Sequence, residues 1–241
     1  LIVLPAIDLL NGQCVRLQEG AEKTAKTYSS DPAAMALKWQ EMGSRIIHLV
    51  NLDGAFGREQ KNVRVIKDLL SAITIPVELG GGIRTFADAE NWLNLGVSRV
   101  IFGTVAITSP EIVEKSVHEL GADKIIVGID ARQNKVAIEG WENQTDKDVF
   151  AFADEMKQIG VRRIIYTDVF RDGRLSGPNI DNTVKLATHS KLKVIASGGF
   201  ARMEDFEALA DTQCDFIEGA IVGKALYENK LDLEQLNRLY H

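Results

Sequence analysis

The sequence predicts an α/β fold, a single (β/α)8 barrel over residues 1–241, from three observations. Apolar strand-like runs alternate with helix-like runs along all 241 residues, as expected for a parallel sheet covered by helices. Roughly eight such units follow one another with short, even links, and nothing marks the switch point that an open doubly wound sheet requires. The second half also repeats landmarks of the first in order. Asp8 recurs as Asp130, Asp53-Gly54 as Asp172-Gly173, Gly81-Gly82 as Gly198-Gly199 and Gly103 as Gly223, at offsets of roughly 120 residues, which reads as a duplication. The half-barrels are residues 1–121 and 122–241.

In chain order, the run from Ile2 to Leu9 is the first strand and places Asp8 at its end. A long polar loop, Gln18 to Ser30, follows. Asp31-Pro32 opens a helix, with Asp as cap and Pro in the first turn, and Gly43 ends it. Ile46–Val50 is the second strand, with His48 read as a core residue. Helical spacing of Val63, Ile66, Leu69 and Leu70 predicts a helix from Asn62. Ile75–Leu79 runs as a strand into Gly80-Gly81-Gly82, Thr85 caps a third helix, Arg99–Phe102 is the fourth strand, and Ser109-Pro110 starts the next helix. The second half follows the same plan. A strand ends at Asp130, and a short return strand, Val136–Ile138, precedes Gly140-Trp141. A helix covers about 147–159, Arg163–Thr167 is the sixth strand, and a turn-rich loop spans Asp172–Asn179. A helix at 181–188, a strand at 194–196, a helix at 202–209, a strand at 216–222 and a helical tail from Asp232 complete it.

A hydrophobic fraction of 45% supplies a sizeable core, and a net charge of −6 argues against a nucleic-acid stripe or a basic membrane-binding face. Two cysteines, Cys14 and Cys214, make no disulfide framework and point to a reducing cytoplasm. The opening residues show no basic region or cleavage site, and no apolar run suits a membrane span. No His/Cys/Asp cluster has metal-ligand spacing and no dinucleotide or Walker fingerprint occurs, so neither metal nor cofactor is expected. Cys14 has no evident activating partner.

Active sites of such barrels lie at the C-terminal ends of the strands. Asp8 and Asp130, on strands half a barrel apart, would face each other across one mouth. Two carboxylates so placed suit general acid–base work, one delivering a proton while the other removes one. Gly81, Gly82, Gly103 and Thr104 form one glycine-rich set, and Gly198, Gly199, Gly223 and Lys224 form another. Glycine lets the backbone approach an anion, and free N–H groups at a helix start can hold it. Two cradles imply a substrate with a phosphate at each end; tight βα turns are the alternative reading. Arg16, Arg84, Asp172 and Gly173 are further binding candidates. Thr167 would orient the substrate or an acid, and Trp141 would stack on a planar ring or pack under its loop.

The segments Pro5–Leu9, Val15–Leu17, Tyr28–Pro32, Leu52–Ala55, Gly80–Arg84, Gly140-Trp141, Thr167 with Arg171–Gly173, and Ser197–Gly199 span the chain. Together they resemble the phosphoribosylformimino-aminoimidazole carboxamide ribotide isomerases of histidine biosynthesis. The resemblance implies a duplicated barrel and a cofactor-free Amadori rearrangement of a bis-phosphorylated aminoaldose (ProFAR) into an aminoketose (PRFAR). It assigns Asp130 as general acid, Asp8 as general base and Thr167 as the group that holds the sugar or the acid in place. It makes the loop 18–30 a lid and the protein a cytoplasmic enzyme, here expected to be a monomer. The chain departs from the family pattern at Asn51, where Asp is usual, and at Glu78, where an uncharged polar residue is expected. The cyclase barrel of imidazole glycerol phosphate synthase is the nearest alternative, and Ala6 and Arg16-Leu17 speak against it. A side activity on phosphoribosylanthranilate and a non-catalytic phosphate-binding barrel are the other readings.

Overall fold

Eight parallel strands close on themselves in the computed structural model, which describes residues 1–18, 20–58, 62–138, 140–141 and 143–240. The sheet contains β1 (Ile2–Leu10), β2 (Gln13–Gln18), β3 (Ala21–Ser29), β4 (Ile47–Asn51), β5 (Val77–Gly80) and β6 (Arg99–Phe102). It continues with β7 (Ile125–Arg132), β8 (Lys135–Ile138), β9 (Asn143–Asp148), β10 (Arg163–Asp168), β11 (Lys193–Ser197) and β12 (Ile217–Val222). The ring runs β1-β4-β5-β6-β7-β10-β11-β12, and β12 pairs with β1 to close it. The helices are α1 (Pro32–Glu41), α2 (Leu52–Ala55), α3 (Val63–Ala72), α4 (Phe86–Asn94), α5 (Val105–Thr108) and α6 (Pro110–Leu120). They continue as α7 (Val149–Gln158), α8 (Ile180–Ser190), α9 (Met203–Asp211), α10 (Lys224–Tyr227) and α11 (Leu233–Leu239). Among the described residues no helix is long and apolar enough to cross a membrane.

Local chemistry sets the helix starts. The Asp31 carboxylate accepts from the Ala34 amide at 2.9 Å ahead of Pro32, and Thr85 and Asp88 form a reciprocal capping box. Ser109 precedes Pro110 as expected, but its side chain makes no cap hydrogen bond. Each strand then alternates. One set of side chains packs outward against the helices, and Leu4, Ala6, Ile46, Ile101, Ile126, Ile165, Ile195 and Ile221 fill the barrel interior. Beyond this apolar layer the last inward positions of the strands open onto the C-terminal mouth. Asp8, Asp130 and Thr167 occupy such positions.

The expected loop from Gln18 to Ser30 is instead mostly a β-hairpin, although Glu19 lies outside the described residues. β1 turns at Asn11-Gly12 into β2, which pairs antiparallel with both β1 and β3. Tyr28 anchors it: its hydroxyl donates to Glu228 at 3.0 Å and its ring lies 4.8 Å from that of Tyr227. A second hairpin, β8–β9, follows β7; β9 and the one-turn helices α2, α5 and α10 were absent from the sequence reading.

The internal repeat is visible as equivalent contacts displaced by 117 positions. The Asn62 amide donates to Asn51 at 2.9 Å, and that of Asn179 donates to Asp168 at 2.6 Å. Asp88 accepts from the Arg84 and Thr85 amides, as Asp205 does from those of Ala201 and Arg202. Gly81-Gly82 and Gly198-Gly199 all have φ between 81° and 93°. A Cβ on Gly82 would collide with the Gly54 backbone, and one on Gly199 with the Gly177 backbone. Only glycine fits these turns. Asn51 and Asp168 are thus the structural counterparts. Asp53, fully buried and hydrogen-bonded by Asn62, does not correspond to the cavity-facing Asp172.

Candidate active site

A cavity of about 810 Å³ opens at the C-terminal mouth, a size that suits a small-molecule ligand. Its wall includes Asp8, Arg16, Gly81, Gly82, Arg84, Gly103, Thr104, Asp130, Trp141, Thr167, Asp172, Gly173, Gly198, Gly199, Gly223 and Lys224. The candidate catalytic and binding residues read from the sequence therefore line one space. Asp8 on β1 and Asp130 on β7 are four strands apart in a ring of eight, hence on opposite walls.

The two carboxylates differ in their partners. Asp8 is ion-paired with Arg16, whose Nη1 lies 2.9 Å from Oδ2. β2 supplies that arginine by folding back along β1, with Asp8 opposite Val15. Burial pushes the Asp8 carboxyl above its ordinary range, Arg16 pulls it down, and Asp172 pushes it up again. Among the described residues no arginine is ion-paired with Asp130. Burial raises its carboxyl too, opposed by hydrogen bonds from the Trp141 indole and the Thr167 hydroxyl. Thr167 sits directly opposite Asp130 in the β7–β10 register.

Trp141 is held over this acid by its backbone. It adopts φ 76°, its amide donates to Ile138 at 3.1 Å, and its carbonyl accepts from Arg132 at 3.3 Å. The β2–β3 turn comes to meet it, since a Cβ on Gly20 would lie 2.8 Å from the Gly140 carbonyl and 3.4 Å from the Trp141 ring. The two hairpins therefore touch over the mouth. On the far side Arg58 of the β4–α3 connection binds Glu22 of β3 and Asp53.

The glycine sets also lie on opposite sides, one after β5 and β6, the other after β11 and β12. They are not identical. Gly223 is packed so closely by the Arg16 guanidinium that a Cβ would sit 2.5 Å from its Cζ, so this set is joined to Asp8 through one arginine. Lys224 donates to the Gly173 carbonyl at 2.9 Å. Arg84 donates to the carbonyls of Gly54 and Ala55, both at 3.2 Å, and thereby clamps the loop after β4 beside the first set.

His48, read from the sequence as a core residue, lines the cavity. Its Nδ1 is 2.8 Å from Oε1 of Glu78, the acid that stood out against the family pattern. No local signal links residues 30 positions apart; the β4–β5 register places them side by side. Cys14 is buried, and burial pushes its thiol up to about 12, which leaves it a poor nucleophile.

The buried acid at 130 has a measurable consequence for stability. Its folded-state carboxyl titrates above the unfolded one, so the folded state holds the proton more tightly. Stability is then lost as pH rises from the unfolded value through the folded one. Asp130→Asn is expected to raise Tm at pH 7, because the neutral amide escapes the cost of burying the acid. The gain should vanish below about pH 4, where the acid is protonated in both states. Thermal unfolding followed by circular dichroism across this range is the check.

The family model described as "Histidine biosynthesis protein" matches residues 2–232. Three similar relatives carry the name 1-(5-phosphoribosyl)-5-((5-phosphoribosylamino)methylideneamino)imidazole-4-carboxamide isomerase. That of Lachnoclostridium phytofermentans is 46% identical over 236 residues, 98% of both chains. That of Heliobacterium modesticaldum is 47% identical over 239 residues, 99% of this chain and 97% of its own. That of Bordetella pertussis is 45% identical over 236 residues, 97% of this chain and 96% of its own.

Proposed function

The chain belongs to the histidine biosynthesis protein family, and from that premise we propose that it is an aldose–ketose isomerase carrying out the reaction its relatives are named for. The substrate is a bis-phosphorylated aminoaldose, ProFAR, and the product its aminoketose isomer, PRFAR. The reaction is an Amadori rearrangement and uses no cofactor. Asp130 gives its proton to the ribose ring oxygen, the bond from that oxygen to the first sugar carbon breaks, and the nitrogen lone pair forms a Schiff base. Asp8 removes the proton from the second carbon, and its electron pair neutralises the Schiff base as an enolamine. The first carbon then gains a proton while the second carbon's hydroxyl loses one, which gives the ketone. No atoms are gained or lost overall.

The observation that carries this reading is the unequal surroundings of the two aspartates. Asp8 has a cation at 2.9 Å, which favours the ionised form a base needs. Burial, the largest influence on Asp130, raises its carboxyl, and the hydrogen bonds from Trp141 and Thr167 only partly oppose it, which suits an acid that must keep a proton until the substrate arrives. The two glycine sets are the proposed cradles for the terminal phosphates, with Arg16 and Lys224 strengthening one and Arg84 the other. Thr167 steadies Asp130. Trp141 covers the imidazole carboxamide, and the two touching hairpins exclude water.

The test incubates the purified, chelator-treated protein with the aminoaldose and follows the aminoketose. Turnover is expected. A protein inert towards the aldose that consumes the aminoketose when ammonia is supplied would instead be the cyclase.

A further inference from the structure

Resting on the isomerase reading, we propose that His48 is a further substrate-contacting residue, hydrogen-bonding a sugar hydroxyl beneath the two aspartates, and that Glu78 is the positioning residue that aims it. His48 faces the cavity from β4 and pairs with Ala6 of β1, one inward position deeper than Asp8. The wall around that depth is apolar, formed by Ala6, Ile101, Gly128 and Ile165. The imidazole is therefore the polar group on the cavity floor.

The arrangement behind the ring is costly for a structural ornament. Glu78 is fully buried, and its Oε2 makes no hydrogen bond among the described residues. The cation beside that oxygen, Arg99 Nη1, is 3.8 Å away and shared with Glu218, which Arg163 binds at 2.6 Å. A buried carboxylate so incompletely satisfied is less stabilising than an apolar side chain of similar size. What it supplies is orientation. With Nδ1 bound to Glu78, the ring of this cavity-lining residue is fixed and Nε2 is the ring nitrogen left for a ligand. A sugar drawn between Asp8 and Asp130 brings hydroxyls to this depth, where a hydroxyl without a partner would be penalised.

Kinetics of His48→Leu, His48→Gln, Glu78→Met and the double variant test this, with folding checked by Tm. His48→Leu and Glu78→Met are each expected to lower kcat/KM roughly 10–10²-fold without lowering Tm. His48→Gln, which restores a hydrogen-bonding group, should recover part of the loss. If Glu78 acts through His48, Glu78→Met adds no further loss in the His48→Leu background. Nitrogen-15 spectra should show a protonated His48 Nδ1 that Glu78→Met alters. Single variants within twofold of the wild type, or losses that multiply in the double variant, would overturn the proposal while leaving the isomerase reading intact. Absence of turnover by the wild type would overturn both.

Discussion

Asp8→Asn and Asp130→Asn are each expected to lower turnover of the aminoaldose roughly 10²–10⁴-fold while the barrel stays folded, the usual range for losing a general acid or base. Asparagine keeps the shape and one acceptor oxygen of each carboxylate, so what is removed is the ability to exchange a proton. The two losses should differ in kind. Without Asp130 the ring oxygen lacks a proton donor, and a substrate analogue already opened to the chain form would bypass the defect. Without Asp8 the proton on the second carbon stays in place, so the open analogue would not be rescued. Rapid-quench turnover on both substrates separates the steps, and equal rescue of both variants would sink the assignment of acid and base.

Arg16→Met is expected to have the second largest effect, acting on two properties together. The arginine is the cation of Asp8 and packs on Gly223, so its loss strands a buried carboxylate and loosens one proposed cradle. Breaking a buried pair from one side costs about 3–5 kcal/mol when the remaining charge stays ionised. The sign of the pH dependence follows from Asp8. Burial already lifts its carboxyl and Arg16 opposes that lift, so removing Arg16 raises it further. The base is then protonated at pH values where the wild type is active, and the acid limb of the rate profile moves to higher pH. The stability penalty is small at acid pH and grows as pH rises through the folded-state value. Adding Asp8→Asn should return most of the Tm but none of the turnover. An unshifted acid limb in Arg16→Met would show that Asp8 does not work as the ionised base.

The barrel was legible because each of its strands is a continuous apolar run bounded by a cap, a glycine or a proline. The cavity residues were legible because Asp8, Asp130 and the paired glycines break those runs at matching places. The hairpin β2–β3 was not, since Ala21–Ser29 reads Ala-Glu-Lys-Thr-Ala-Lys-Thr-Tyr-Ser. It is a strand only because β2 presents hydrogen-bonding groups to it, not because it has a face to bury. His48, read as core, is indeed buried, but its place on the cavity wall was hidden for the opposite reason. An apolar strand conceals a histidine whose partner comes from the neighbouring strand. The repeat was read from like residues, whereas the fold repeats positions. Asn51 and Asp168 do the same work with different side chains, while the two Asp-Gly pairs that look alike do different work.

Closing the barrel leaves strand edges only where the hairpins end. Among the described residues β3 pairs with β2 alone, and β9 ends the path beyond β8. An unpaired edge invites a second molecule to add its own strand and begin an aggregate. Both edges are poor templates for this. β3 carries Lys23 and Lys26 exposed, and β9 reads Asn-Gln-Thr-Asp-Lys-Asp with Asp146 exposed. Extending either edge would bring like charges together and strip them of water. The polar sequence that hid these hairpins from a reading based on hydrophobic pattern is thus the same property that makes their edges poor templates for an added strand.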